Sequence, residues 1–269
     1  KTEEPAPTEA PVEIVKLNVA YMPNYASLWS VLTAMDKGYF AEEGLEITLW
    51  EFADGPSEIA AMEGGSIDLA YIGHGAHKLC INGRAQIFLP SSVHATDRII
   101  VLPSAGITSA DEIANLKGKK VAYNAGSSSE TALQGALKVA GLTMDDIEAV
   151  SMDATALTTA ALSGQVDAVA AWSPMSLTIL EKGTDVTDIC SNVDFATMAS
   201  PGSWVVNPDW AAANADVIVR FNRAMFKAMD FAAAATTDDA VAQEVAGYVA
   251  KITGLDVEST IAQRYDGSW

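Results

Sequence analysis

Residues 60–70 read Ala-Ala-Met-Glu-Gly-Gly-Ser-Ile-Asp-Leu-Ala, and residues 160–170 read Ala-Ala-Leu-Ser-Gly-Gln-Val-Asp-Ala-Val-Ala. Each stretch is an Ala-rich helix end, a glycine stop, a β-branched residue, an aspartate and the start of a strand. Glycine ends helices because the left-handed conformation costs it little, so a single junction of this kind is ordinary. One in each half of the chain predicts two lobes of similar build. The two strands run out into Gly73-His74-Gly75 and Trp172-Ser173-Pro174. In open α/β sheets ligands sit beyond the carboxyl ends of the strands, and two such ends facing each other make a cleft.

Working outward, Val15, Leu17 and Val19 alternate with Lys16 and Asn18, which predicts a strand over Ile14–Tyr21. The loop Met22-Pro23-Asn24-Tyr25 leads into a helix through Met35, and a second strand follows over Glu46–Phe52. Asp54-Gly55-Pro56-Ser57 supplies an N-cap with a proline early in the next helix. This strand–helix–strand rhythm predicts an α/β fold of parallel sheets covered by helices. Residues 1–13 are Pro-rich and acidic and read as a disordered extended tether; no signal peptide is present, and a segment upstream is expected to have been removed or left out.

The 269 residues carry 16 Lys and Arg against 35 Asp and Glu, a net charge of −19. That balance excludes nucleic-acid binding through a general basic field. Apolar residues make up 49%, enough for a full core, yet no apolar run is long enough to span a bilayer. Cys80 and Cys190 match no metal or redox spacing, and read as two separate thiols or a single bridge. His74 and His77 could share a helix face, but no further ligand follows at metal spacing, so neither a metal nor a cofactor is expected.

After a strand at Lys119–Tyr123 comes Asn124-Ala125-Gly126-Ser127-Ser128-Ser129-Glu130 and a helix to Ala140. The first-turn amides and three hydroxyls suit an anion, so Ser127, Ser128 and Ser129 are candidate ligand contacts. Ser127 and Glu130 also fit a capping box, in which both serve the helix rather than a ligand. Trp29, Trp172 and Trp204, the last following Ser203, fall at element ends, where an indole can line a cleft or fill a core. Asp153 reads as the N-cap of the helix Ala154–Leu162 and can edge the cleft; Arg98 reads as a surface or hinge residue. No nucleophile elbow and no His-Glu-x-x-His motif is present.

The run 34–47, Ala-Met-Asp-Lys-Gly-Tyr-Phe-Ala-Glu-Glu-Gly-Leu-Glu-Ile, resembles the "dkGyFeeeGLeV" stretch of ABC-transporter solute-binding proteins of the nitrate, sulfonate, taurine and thiamine-pyrimidine branch. Gly65–Ala70, Leu116–Val121, Gly126–Ser129, Gly164–Ala168 and Trp172–Pro174 match in order, and the matches spread over about Lys16–Met229. The resemblance implies a two-lobed type II periplasmic-binding fold, each lobe a mostly parallel sheet flanked by helices, joined by two crossover hinge strands. Lobe one is then expected over 14–98 plus 199–269 and lobe two over 99–198, with helices at Ala211–Ala235 and Asp238–Ile252 packing back on lobe one. It implies ligand contacts from Asn24 and Tyr25, Gly55 and Pro56, the His74–Gly75 turn, Ser127–Ser129 and Trp172. His74 stands where relatives carry a small or Pro-like residue, and Ser173 where many carry Asp. With His74 and Arg98 as the evident cations, the cleft suits a small organic solute with a sulfonate or carboxylate end, or a flat N-heterocycle. The implied partners are that small-molecule ligand and an ABC permease, in an extracytoplasmic location, either at the cell surface through a lipid anchor upstream of the chain or in the periplasm. The alternative is an enzyme of pyrimidine-precursor metabolism on the same fold, with chemistry resting on His74 together with Glu130 or Asp153.

Overall fold

The computed structural model describes residues 13–94, 97–195, 200–265 and 267–268. The expected tether, apart from Glu13, lies outside them. The strands in chain order are β1 (Val15–Tyr21), β2 (Leu45–Glu51), β3 (Leu69–Ile72), β4 (Gln86–His94), β5 (Arg98–Val101), β6 (Lys120–Tyr123), β7 (Glu148–Ser151), β8 (Ala168–Ala171), β9 (Thr187–Ser191), β10 (Ser200–Val206) and β11 (Gly267–Ser268). They form two sheets, ordered β11-β4-β10-β3-β1-β2 and β7-β6-β8-β5-β9.

The two sheets share one plan. In each, the first strand lies between the second and third and runs parallel to both: β1 between β2 and β3, β6 between β7 and β8. Beyond the third strand sits an antiparallel one, β10 against β3 and β5 against β8, and beyond that β4 or β9. β5 follows β4 after the chain leaves the first sheet, and β10 enters the first sheet after β9 of the second. Each sheet thus takes in, beside its third strand, the strand with which the chain arrives from or returns to the other half. Arg98, assigned by the sequence reading to the end of the first lobe, begins β5 of the second sheet.

The paired junctions seen in the sequence have the same geometry. Gly65 and Gly164 adopt φ of 75° and 69°. The next amides close the helix ends, Ser66 N–H on the Ala61 carbonyl at 3.1 Å and Gln165 N–H on that of Ala160 at 3.0 Å. Asp68 Oδ2 then accepts the Asn18 N–H at 2.8 Å, and Asp167 Oδ2 accepts the Lys120 N–H at 2.9 Å. The aspartate N–H groups return bonds to the carbonyls of Asn18 and Lys120, both at 2.8 Å. The aspartate therefore clasps the third strand to the first, and the Lys120 N–H holds the Asp167 carboxyl below the usual range. Asp167→Ala should destabilise the protein by about 1–3 kcal/mol, or roughly 2–10 °C in Tm, measured by thermal melts. Because the folded pKa is depressed, that contribution is present above the unfolded value and is lost as the pH falls through the folded one.

Helices cover both faces of each sheet. Helix Tyr25–Asp36 packs against helices Ala215–Ala233 and Asp239–Thr253, enclosing Leu28, Trp204 and Phe221. In the second lobe Leu133 and Leu137 of helix Ser128–Val139 lie against Val121 and Ile99, with Leu157 and Ile179 on the opposite face. A further helix, Val257–Tyr265, which the sequence reading did not anticipate, packs on Asp239–Thr253 and reaches helix Tyr25–Asp36. Among the described residues no helix is long and apolar enough to cross a membrane.

Candidate functional site

Five loops that follow strands and the end of one helix meet between the sheets. Asn24 caps helix Tyr25–Asp36, its Oδ1 accepting the Ser27 N–H at 3.0 Å, and this turns Tyr25 and Trp29 toward the gap. Asp54 caps helix Gly55–Glu63 through the Ser57 N–H at 2.9 Å and sets Gly55 and Pro56 on the same wall. From the other lobe come Ser127 and Ser128 at the start of helix Ser128–Val139, and Trp172 and Ser173 after β8. The cleft they enclose holds about 770 Å³ of empty space, its open mouth included. A wider groove outside it shares Met22, Asn24 and Trp172 and is walled by Phe52 and by Thr155 and Thr158 of the helix that Asp153 caps.

Asn24, Tyr25, Trp29, Gly55, Pro56, Ser127, Ser128 and Trp172 are therefore brought together. His74, Gly75, Ser129, Asp153, Ser203 and Trp204 do not line this cleft. Burial lowers the His74 pKa to about 4, so the ring is neutral and supplies no cation. Ser129 is fully buried, its Oγ 2.9 Å from that of Ser127. Asp153 accepts the Ala156 N–H at 2.8 Å as an N-cap. Trp204 is fully buried, with ring centroids 5.5 Å from Tyr71 and 5.7 Å from Phe221. The reason is topological: β10 is an interior strand between β3 and β4, so Ser203 and Trp204 face covered surfaces. Arg98 pairs with Asp188 at 2.7 Å. Both thiols are free. The capping box does not form: Glu130 accepts the Gly126 N–H at 2.8 Å, and Ser127 makes no side-chain bond to the helix amides.

The sequence reading missed Tyr71, Ser92, Gln263 and Arg264, all on the cleft wall. Arg264 matters most. It is a guanidinium only 6% exposed, close enough to Tyr25 to oppose, in part, the rise that burial imposes on the Tyr25 hydroxyl. Gln263 beside it accepts the Tyr25 N–H at 3.3 Å through Oε1. The one signal available was a Gln-Arg pair on a short helix beyond Met229, where the quoted motifs end.

The lobes touch across the cleft. Gly75 packs so closely on the Ser127–Ser128 peptide that a Cβ there would overlap the Ser127 carbonyl. Lys78 Nζ lies 2.8 Å from Glu130 Oε2, and Asn124 Nδ2 donates to Asp54 Oδ2 at 3.3 Å.

Two α/β lobes that meet over an aromatic cleft and exchange strands at the crossovers have the periplasmic-binding-protein fold. Residues 26–238 match the family described as NMT1/THI5 like, and the chain belongs to that family. It is 31% identical over 226 residues, 84% of this chain and 69% of the relative, to a protein of Brucella abortus named as a binding protein. It is 27% identical over 259 residues, 90% of this chain and 72% of the relative, to the 4-amino-5-hydroxymethyl-2-methylpyrimidine phosphate synthase of Aspergillus parasiticus. Among solved structures, the alkanesulfonate-binding protein SsuA of Xanthomonas axonopodis pv. citri, bound to MOPS, superposes with a TM-score of 0.74 at 24% identity, over 95% of this chain and 86% of that one.

Proposed function

We propose that this protein captures a small organic anion, a sulfonate or carboxylate with a short or flat body, outside the cytoplasm and delivers it to an ABC importer. The observation that carries the ligand class is Arg264, a nearly buried guanidinium on the wall of a cleft that also presents Trp29, Trp172 and the Ser127 and Ser128 side chains. A guanidinium on a cleft wall can engage an oxyanion through two parallel N–H donors. Trp29 and Trp172 offer flat faces to the rest of the molecule. Capture works by closure: a ligand that bridges both lobes favours the form in which Gly75 meets Ser127 and Lys78 meets Glu130, and the transporter reads that form.

Ligand at one hundred times Kd stabilises the fold by about 2.7 kcal/mol, roughly 5–10 °C in Tm. A thermal-shift screen of small sulfonates and carboxylates should yield such a shift. Arg264→Gln should weaken binding of the best compound by about 10- to 100-fold, by calorimetry. Undiminished affinity in that variant would overturn the anionic reading. The synthase relative keeps an enzymatic reading in view, but its chemistry would rest on His74, and the cleft wall does not include that residue.

A further inference from the structure

The bonds that join the lobes fall on one set of segments. Glu130 Oε2 accepts the Gly126 N–H of its own lobe at 2.8 Å and lies 2.8 Å from Lys78 Nζ of the other. Asp54 repeats the device from the first lobe: Oδ1 takes the Ser57 N–H at 2.9 Å, and Oδ2 takes Asn124 Nδ2 at 3.3 Å. Each acid is held in place by its own lobe and grips the other. Gly75 seats against the Ser127 carbonyl in the same seam, which runs between residues 54–78 and 124–130.

The wider groove is walled by different segments, 51–53 of the first lobe and 154–159 and 174–175 of the second. It holds about 910 Å³ of empty space, its open side included. Among the described residues no hydrogen bond or ion pair joins these walls. They are also poor in groups that would retain a solute. Thr158 and Thr159 give their hydroxyl protons back to the carbonyls of Ala154 and Thr155, at 3.1 and 3.0 Å, and Phe52 and Met175 are apolar. Met22, Asn24 and Trp172, all nearly buried, line the groove on one side and the cleft on the other.

We propose that the groove is a side portal: with the lobes clasped along the Asp54–Glu130 seam, solute still passes between solvent and cleft, through the groove and past Met22, Asn24 and Trp172. The closed form therefore stays in exchange with solvent, whatever the charge of the solute. Glu51 is exposed in the groove, accepts the Tyr21 hydroxyl at 3.1 Å, and is the only charged group among the described residues that wall it. A carboxylate there speeds cations and slows anions on the way through.

The test locks the lobes and asks whether the cleft is still reached. A Cβ on Gly73 would lie 3.9 Å from that of Ser128, within the roughly 3.5–4.5 Å that a disulfide spans, and Gly73 has an ordinary φ of −77°. Gly73→Cys with Ser128→Cys then bridges the lobes, as peptide mapping will show; Pro56→Cys with Gly126→Cys, at 4.0 Å, is the second choice. Ala26→Cys adds a reporter thiol on the cleft wall at a helix start, where the thiolate is favoured. Mass spectrometry follows its reaction with 2-sulfonatoethyl and with 2-(trimethylammonio)ethyl methanethiosulfonate. In the locked protein the reporter should react to completion with both. Ala53→Trp with Thr155→Trp, one from each wall, should slow both reactions about tenfold or more, and either alone serves if the pair fails to fold. Glu51→Gln should lower the ratio of the cationic to the anionic rate by about 3- to 10-fold. An inert reporter in the locked protein overturns the portal. So do rates within about twofold of the parent behind the two tryptophans, or an unchanged charge ratio in Glu51→Gln.

Discussion

Gly75→Ala will weaken ligand capture by about 100-fold or more, with the ligand-free melting temperature within a few degrees of the parent. Gly75 does not occupy the left-handed region, so its backbone accepts alanine without strain. The obstacle lies across the cleft. An added methyl would fall on the carbonyl of Ser127 and close to the Ser128 nitrogen, and these are backbone atoms that no rotamer change can move aside. Overpacking costs about 1–3 kcal/mol where neighbours relax, and more where they cannot. Here the lobes have an alternative, which is to stay apart. The penalty then appears in closure and therefore in affinity, where about 2.7 kcal/mol is a factor of 100. Calorimetry and thermal melts give the two numbers, and small-angle scattering should show that the variant does not contract on adding ligand. Parent-like affinity would mean that the Gly75–Ser127 contact is not part of the ligand-bound form.

Glu58→Gln will raise stability at neutral and alkaline pH and flatten its pH dependence. Glu58 is fully buried on helix Gly55–Glu63, and neither carboxylate oxygen has a hydrogen-bond partner among the described residues. Burial, reinforced by the nearby Asp54 carboxylate, raises its pKa well above the ordinary value. The folded protein thus holds a proton that the unfolded chain releases. Stability is highest below the unfolded pKa and declines as the pH climbs from there toward the folded one. Glutamine keeps the shape of the protonated acid and removes the titration. The gain should be about 1–3 kcal/mol at pH 7.5, roughly 2–10 °C, and near zero at pH 4. Thermal melts at the two pH values decide it, and a variant less stable than the parent at pH 7.5 would show that the carboxylate has a favourable partner.

What was legible in the chain was local. Helix stops, caps and strand alternation depend on neighbouring residues, so the paired junctions ending in Asp68 and Asp167 could be read as two lobes, and Asp54 and Asp153 as caps, before any coordinates. The loops after β1, β6 and β8 reach the cleft because strand ends in α/β sheets do so generally. The errors came from long-range pairing. Trp204 follows a turn and begins a strand, just as a rim residue would. Its fate is set by the insertion of β10 between β3 and β4, and no nearby residue announces that. Arg264 is the converse case. An arginine near the end of a short polar helix reads as solvated, and only the docking of that helix beside Tyr25 brings it to the cleft.

The position of β10 also bears on how the chain is made. The second sheet is drawn from one continuous stretch, 98–191, whereas the first has a gap between β3 and β4 until Ser200–Val206 has been synthesised. Until that segment is in place, the half that holds β1 to β4 keeps the facing edges of β3 and β4 open, while the later half has all the strands of its own sheet. A nascent chain stalled just before Ser200 would carry one complete lobe and one incomplete lobe exposed to chaperones and proteases.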